Sequence, residues 1–150
     1  MANASANPYL RTKILTASPE ELRLMLYDGA VKFCRQAREA LDRKDLETSY
    51  TGLMRAQKIV LELSTSLNHT ADPDLCSKLS SLYTYIYRLL VDANMDREAK
   101  KIDEAIGLLQ YERETWHLLM QKVSNTRDVP MEQQVVGAQQ TAMSSLSTNA

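Results

Sequence analysis

Turn-forming residues are scarce in this chain. Glycine and proline occur four times each in 150 residues. Sandwiches and barrels of short strands need a turn roughly every 8–12 residues, so many-stranded β folds are disfavoured. Long hydrophobic runs are also missing. No uninterrupted apolar run exceeds about five residues, far short of the ~20 that cross a bilayer, which argues against stable membrane insertion. Charge of one sign is not in excess: 18 Lys and Arg stand against 19 Asp and Glu, a formal net charge of −1. A general nucleic-acid binder carries a basic surplus, so no nucleic-acid partner is expected. The start, MANASANPYLRTK, has no apolar stretch of the secretory type, and the expected location is cytoplasmic. The two cysteines, Cys34 and Cys76, sit in no metal-type spacing and read as free, small hydrophobes.

What is present is helix. Hydrophobic residues make up 44% of the chain and charged ones 25%, a globular balance. Ser18-Pro19-Glu20-Glu21 joins an N-cap, a proline at the first helical position and two carboxylates in the positive first turn. It predicts a helix from about 19 to 41. Asp45 is the next N-cap, for a helix ending near His69. Asp72-Pro73 starts a third, ending near Asn94, and Asp96 is expected to cap a fourth, ending near Asn125. Seven-residue seams run through each: Leu46, Leu53, Val60 and Leu67; Leu75, Leu82 and Leu89; Leu79, Ile86 and Ala93; Ile102, Leu109, Trp116 and Val123.

Four helices of this length with short connections pack as antiparallel neighbours, with axes about 20° apart. The expected fold is all-α: an antiparallel up-down four-helix bundle over residues 18–126. Residues 1–17 are expected to be an extended N-terminal segment that caps a groove. Residues 127–150, rich in Gln, Ser and Thr, are expected to form a flexible polar tail.

No site for catalysis emerges. A di-metal carboxylate bundle needs two inward Glu-x-x-His motifs. The one here, Glu114 to His117, is turned away from the Trp116 seam at 100° per residue. There is no glycine-rich phosphate loop and no nucleophile elbow. The expectation is a protein without catalysis, cofactor or metal.

Apolar residues are instead in excess off the expected core face. In the first long helix the core stripe is read through Leu22, Leu26, Gly29, Phe33, Ala37 and Leu41. Leu24, Tyr27 and Val31 then form a second stripe on the opposite face, with Cys34 at its margin. Ile59 flanks the second helix, and Tyr83 and Tyr85 flank the third on opposite sides. Seven of the nine aromatic residues are tyrosines, a ring that suits half-wet interfaces. An uncovered apolar stripe on a helical bundle fits uptake of an amphipathic or extended partner segment. Self-association through the same stripes is the alternative.

Several blocks resemble the flagellin-specific export chaperones of the FliS family. These are Tyr9-Leu10, then Thr16-Ala17-Ser18-Pro19-Glu20-Glu21-Leu22 and Met25-Leu26-Tyr27-Asp28-Gly29-Ala30. Supporting matches are Ala56-Gln57-Lys58-Ile59, Leu82-Tyr83-Thr84-Tyr85-Ile86 and Trp116. Where the family often has a Gly-Gly stretch, this chain has His69 to Pro73. The resemblance implies a cytoplasmic chaperone that binds the C-terminal segment of flagellin, prevents premature polymerisation and assists delivery to the flagellar export gate. It implies no nucleotide or metal. The client-contacting set expected from stripes and resemblance together is Tyr9, Leu10, Ile14, Leu24, Tyr27, Val31, Ile59, Tyr83 and Tyr85, on a monomer or weak homodimer.

Overall fold

A computed structural model describes residues 7–68 and 70–127. The described residues are all-helical: α1 (Pro8–Thr16), α2 (Pro19–Asp42), α3 (Leu46–Thr65), α4 (Pro73–Asp96) and α5 (Ala99–Arg127). The expected tail from 128 onward lies outside the described residues. Backbone contacts divide the chain into a unit ending at Trp116 and a second beginning at His117.

Helix starts follow local chemistry. Ser18 accepts from the Glu21 amide at 3.1 Å, Asp45 from Thr48 at 3.2 Å and Asp72 from Leu75 at 3.1 Å. Each satisfies an amide that the helix itself leaves without an acceptor. The same logic corrects the N-terminal expectation. Residues 8–16 are a helix, not an extended strap, because Asn7 accepts from the Leu10 amide and Pro8 takes the first helical position. Asn7-Pro8 is the same type of signal as Ser18-Pro19, one residue type removed.

Helix ends depart from expectation in two places. α3 stops at Thr65, short of His69, with Ser66 as its C-cap. Ser66 Oγ donates to the Leu63 carbonyl at 3.0 Å, which occupies an acceptor of the last turn. Asp96 does not cap α5; it closes α4 and pairs with Lys101 at 3.2 Å. Lys44 and Arg97 hold the left-handed conformation, with φ of 60° and 55°, where glycine is the usual choice. Lys44 does so in a Schellman arrangement: its amide donates to Leu41 and that of Asp45 to Ala40.

Successive long helices run antiparallel. Gly29 lies by Ile59, and Ala37 by Gly52. Tyr50 accepts from Asn94, Tyr85 bonds Glu104, and Asp28 pairs with Arg113 as Arg38 does with Asp103. The closest backbone approaches are α2 with α3 and α3 with α4. At the α2–α3 crossing, a Cβ on Gly52 would lie 3.1 Å from both Ala37 Cβ and the Phe33 carbonyl oxygen. The core gathers Tyr27, Cys34, Leu53, Leu63, Tyr83, Ile86, Leu90, Ile102 and Leu109, all nearly inaccessible.

Candidate functional site

The expected core stripe of α2 is out of phase, and the core face of α4 is wider than its two expected seams. In α2 the buried positions are Tyr27, Ala30, Val31, Cys34, Ala37 and Ala40, whereas Leu22, Leu26 and Phe33 are only half-buried. The supposed outer stripe is therefore largely interior. The reason is tertiary: α2 is covered on more than one side. Its Gly29 and Phe33 face lies against Ile59 and Arg55 of α3. Its Tyr27 reaches α4 and its Asp28 reaches α5. In α4 the buried residues are Cys76, Tyr83, Ile86, Leu89, Leu90 and Ala93. Ile86 and Ala93 come from one expected seam and Leu89 from the other, and Leu79 and Leu82 pack half-buried against the core. Leu75 is exposed, and Cys76, Tyr83 and Leu90 are additional.

Tyr27, Val31 and Tyr83 are thus corrected from surface to core, at 0%, 7% and 1% exposure. Leu10, Leu24 and Ile59 are half-buried. Tyr9, Ile14 and Tyr85 are exposed. No residue of α1 is buried. Tyr85 is held by a hydrogen bond to the Glu104 carboxylate of α5.

The structure brings two of these residues together. The hydroxyls of Tyr27 and Tyr83 hydrogen-bond to each other inside the bundle, with ring centroids 6.4 Å apart and planes tilted by 47°. Arg23 completes the group. It donates to Tyr83 Oη at 3.1 Å and to Ser66 Oγ at 3.0 Å, and its guanidinium lies 5.0 Å from the Trp116 ring centroid. One side chain of α2 therefore touches the end of α3, the middle of α4 and α5. Burial, then the bond to Tyr83, raises the Tyr27 phenol far above its ordinary value. Burial raises Tyr83 too, against the Tyr27 hydrogen bond and the Arg23 charge. Glu112 is half-buried, and burial raises its carboxyl. Arg23 was not foreseen; the signal was a lone cation between Leu22 and Leu24 in an otherwise apolar turn.

Beside this cluster, α2 and α5 border a cleft of about 420 Å³. Val31 lies in its wall with Lys32, Arg35, Gln36 and Glu39; Asp28 and Arg113, joined at 2.8 Å, also line it, as does Gln110 of α5. A smaller hollow of about 100 Å³ lies among Leu46, Tyr50 and Asn94. Large apolar side chains remain in solvent on three helices of the bundle: Tyr50 and Leu61 on α3, Tyr85, Tyr87 and Met95 on α4, and Tyr111 on α5. Cys34 and Cys76 are free and buried, and burial pushes the Cys34 thiol up to about 12. Among the described residues no cluster of His, Cys, Asp and Glu could hold a metal ion, and no helix is long and apolar enough to cross a membrane.

Comparison with known proteins gives a consistent picture. The family model described as "Flagellar protein FliS" matches residues 1–123. The chain is 35% identical to the flagellar secretion chaperone FliS of Bacillus subtilis over 127 residues, covering 83% of this chain and 94% of that one. It is 32% identical to the FliS of Salmonella typhimurium, covering 81% and 90%, and 31% identical to that of Campylobacter jejuni, covering 76% and 89%. A crystal structure of a bacterial flagellar chaperone has the same fold, with a TM-score of 0.66, 24% identity and coverage of 76% and 93%. With its capped helices, its tyrosine-paired core and this agreement along most of its length, the chain belongs to the FliS family of flagellar proteins.

Proposed function

We propose that this chain is a cytoplasmic flagellar export chaperone that binds the C-terminal segment of flagellin. Binding holds the segment away from premature polymerisation and assists its delivery to the flagellar export gate. The reading rests on the family match over residues 1–123. The surface supports it: Tyr9, Leu15, Tyr50, Leu61 and Tyr85 all stand in solvent, on helices that an amphipathic segment can lie along. Such a client loses its own exposed apolar face on binding and meets an ordering cost of about 2–5 kcal/mol or more. Tyr9, Leu10, Ile14, Leu24, Ile59 and Tyr85 are the accessible members of the proposed contact set. Tyr27 and Tyr83 lie beneath the surface, and Val31 forms part of the cleft wall.

Calorimetric titration of the full chain with a C-terminal flagellin segment tests the proposal. A second titration uses the segment without its last helix. Saturable one-to-one binding, lost on truncation, is expected. Absence of binding at high micromolar concentration overturns the reading and turns attention to self-association.

A further inference from the structure

α5 is built in two unlike stretches. Its fully buried residues are Ile102, Ala105 and Leu109, all in the first three turns. From Gln110 to Asn125 no residue is buried. Within the first unit that later stretch meets α2 through two side-chain bridges, Arg113 with Asp28 at 2.8 Å and Trp116 beneath Arg23 at 5.0 Å, and its one apolar hold on the core is the half-buried Trp116. It lines one side of the α2–α5 cleft. Gly107 stands in the last turn of the buried stretch, between Ala105 and Leu109. It is exposed, and a Cβ there would meet nothing within 4 Å. Packing does not require a glycine at that position, unlike at Gly52, yet glycine is the most flexible residue a helix interior can carry.

We propose that α5 flexes at Gly107, so that the stretch from Gln110 to Trp116 swings away from α2 and widens the cleft between them. By helical rise Trp116 lies about 14 Å from the hinge. A bend of about 20° there moves Trp116 by about 5 Å, whereas Leu109, two residues from the hinge, scarcely moves and keeps its anchorage. The motion breaks the Arg113–Asp28 pair and the Arg23–Trp116 contact and lifts the half-buried Trp116 ring off the core it packs against; both partners of the first are partly solvated. It gives a client helix access to Val31 in the cleft wall. That last step rests on the chaperone reading; the flexing itself is a property of the free chain.

Residue-resolved amide exchange on the full chain tests the hinge. The amides of 108–111 donate across Gly107 to carbonyls four residues back. A hinge predicts a local dip in protection at 108–111, with firmer protection on both sides. Gly107→Ala fills the dip, and Thr115→Ala, at another exposed position of α5, leaves it. Protection falling steadily toward Arg127, or a dip that survives Gly107→Ala, overturns the proposal. Acrylamide quenching of Trp116, the single tryptophan, should weaken in Gly107→Ala. A client arm separates the two readings. Gly107→Ala is expected to slow association with the flagellin segment about fivefold; association as fast as wild type overturns the role of the hinge. If the segment does not bind the wild type, the chaperone reading falls, and the exchange profile still decides the hinge.

Discussion

The two sides of α2 are built on different principles. Against α3 it presents small residues at close range: Ala37 meets Gly52, and Gly29 meets Ile59. Against α5 the backbones stay further apart, and the connection is made by long side chains, Arg38 to Asp103, Asp28 to Arg113 and Arg23 over Trp116. The first seam gains many dispersion contacts that are lost together if the helices part. The second adds separate polar rungs, each worth little in water, beside the buried Ile102, Ala105 and Leu109 that anchor α5 in the core.

The largest effect is expected where the tight seam leaves no room. Gly52→Leu pushes a side chain into Ala37 and the Phe33 carbonyl and should cost about 3 kcal/mol, read as a lowered urea midpoint. No loss would mean that the α2–α3 crossing relaxes and the contrast with α5 is false. Next comes the phenol pair that ties α2 to α4. Tyr83→Phe leaves the buried Tyr27 hydroxyl without its partner and should cost about 1–3 kcal/mol. Adding Tyr27→Phe removes the orphaned group, so the double variant should lose less than the two singles summed. Additive losses would dissolve the network.

Alkali probes the same interior. The Tyr27 phenol lies above its ordinary 10.0 in the folded chain, because burial and the Tyr83 bond disfavour its anion. Above about pH 10 the unfolded chain therefore releases this proton while the folded chain keeps it. Stability falls as pH rises there, by about 1.4 kcal/mol per unit for each such group. Tyr27→Phe should flatten the slope of urea midpoint against pH between about pH 10 and 11. Cys34 adds a similar loss from 9.0 towards about 12, and its thiol should stay unreactive to thiol reagents at neutral pH until the chain unfolds. The smallest effect belongs to the open side. Arg113→Ala removes an exposed rung and should cost less than about 1 kcal/mol, vanishing near 1 M salt. A cost rivalling that of Gly52→Leu would mean that α5 is not the loosely held helix.

Much of the fold was legible because it is written in short-range chemistry. Ser18, Asp45 and Asp72 announce helices by bonding amides three residues on. Asn7-Pro8 carries the same message within a segment whose composition suggests an extended strap. Less of the site was legible. A heptad pattern locates a stripe to within one residue position, or 100° of helix, and α2 shows how far that misplaces a core: Leu22, Leu26 and Phe33 are half-buried, while Tyr27, Ala30 and Cys34 are interior. The role of Arg23 is not legible in the sequence, because its partners Ser66, Tyr83 and Trp116 are distant along the chain.

The sequence by itself determined that the chain is helical, where most of its helices begin and which family it resembles, because caps, prolines and apolar period act within a few residues. Only the tertiary structure decided which apolar face of α2 is interior. A helix with neighbours on several sides buries more than one stripe, and the number and placing of those neighbours is not a local property. The same holds for Tyr27 and Tyr83. A tyrosine suits a wet surface or a dry pair equally well, and its choice was made by the hydroxyl that arrived from another helix.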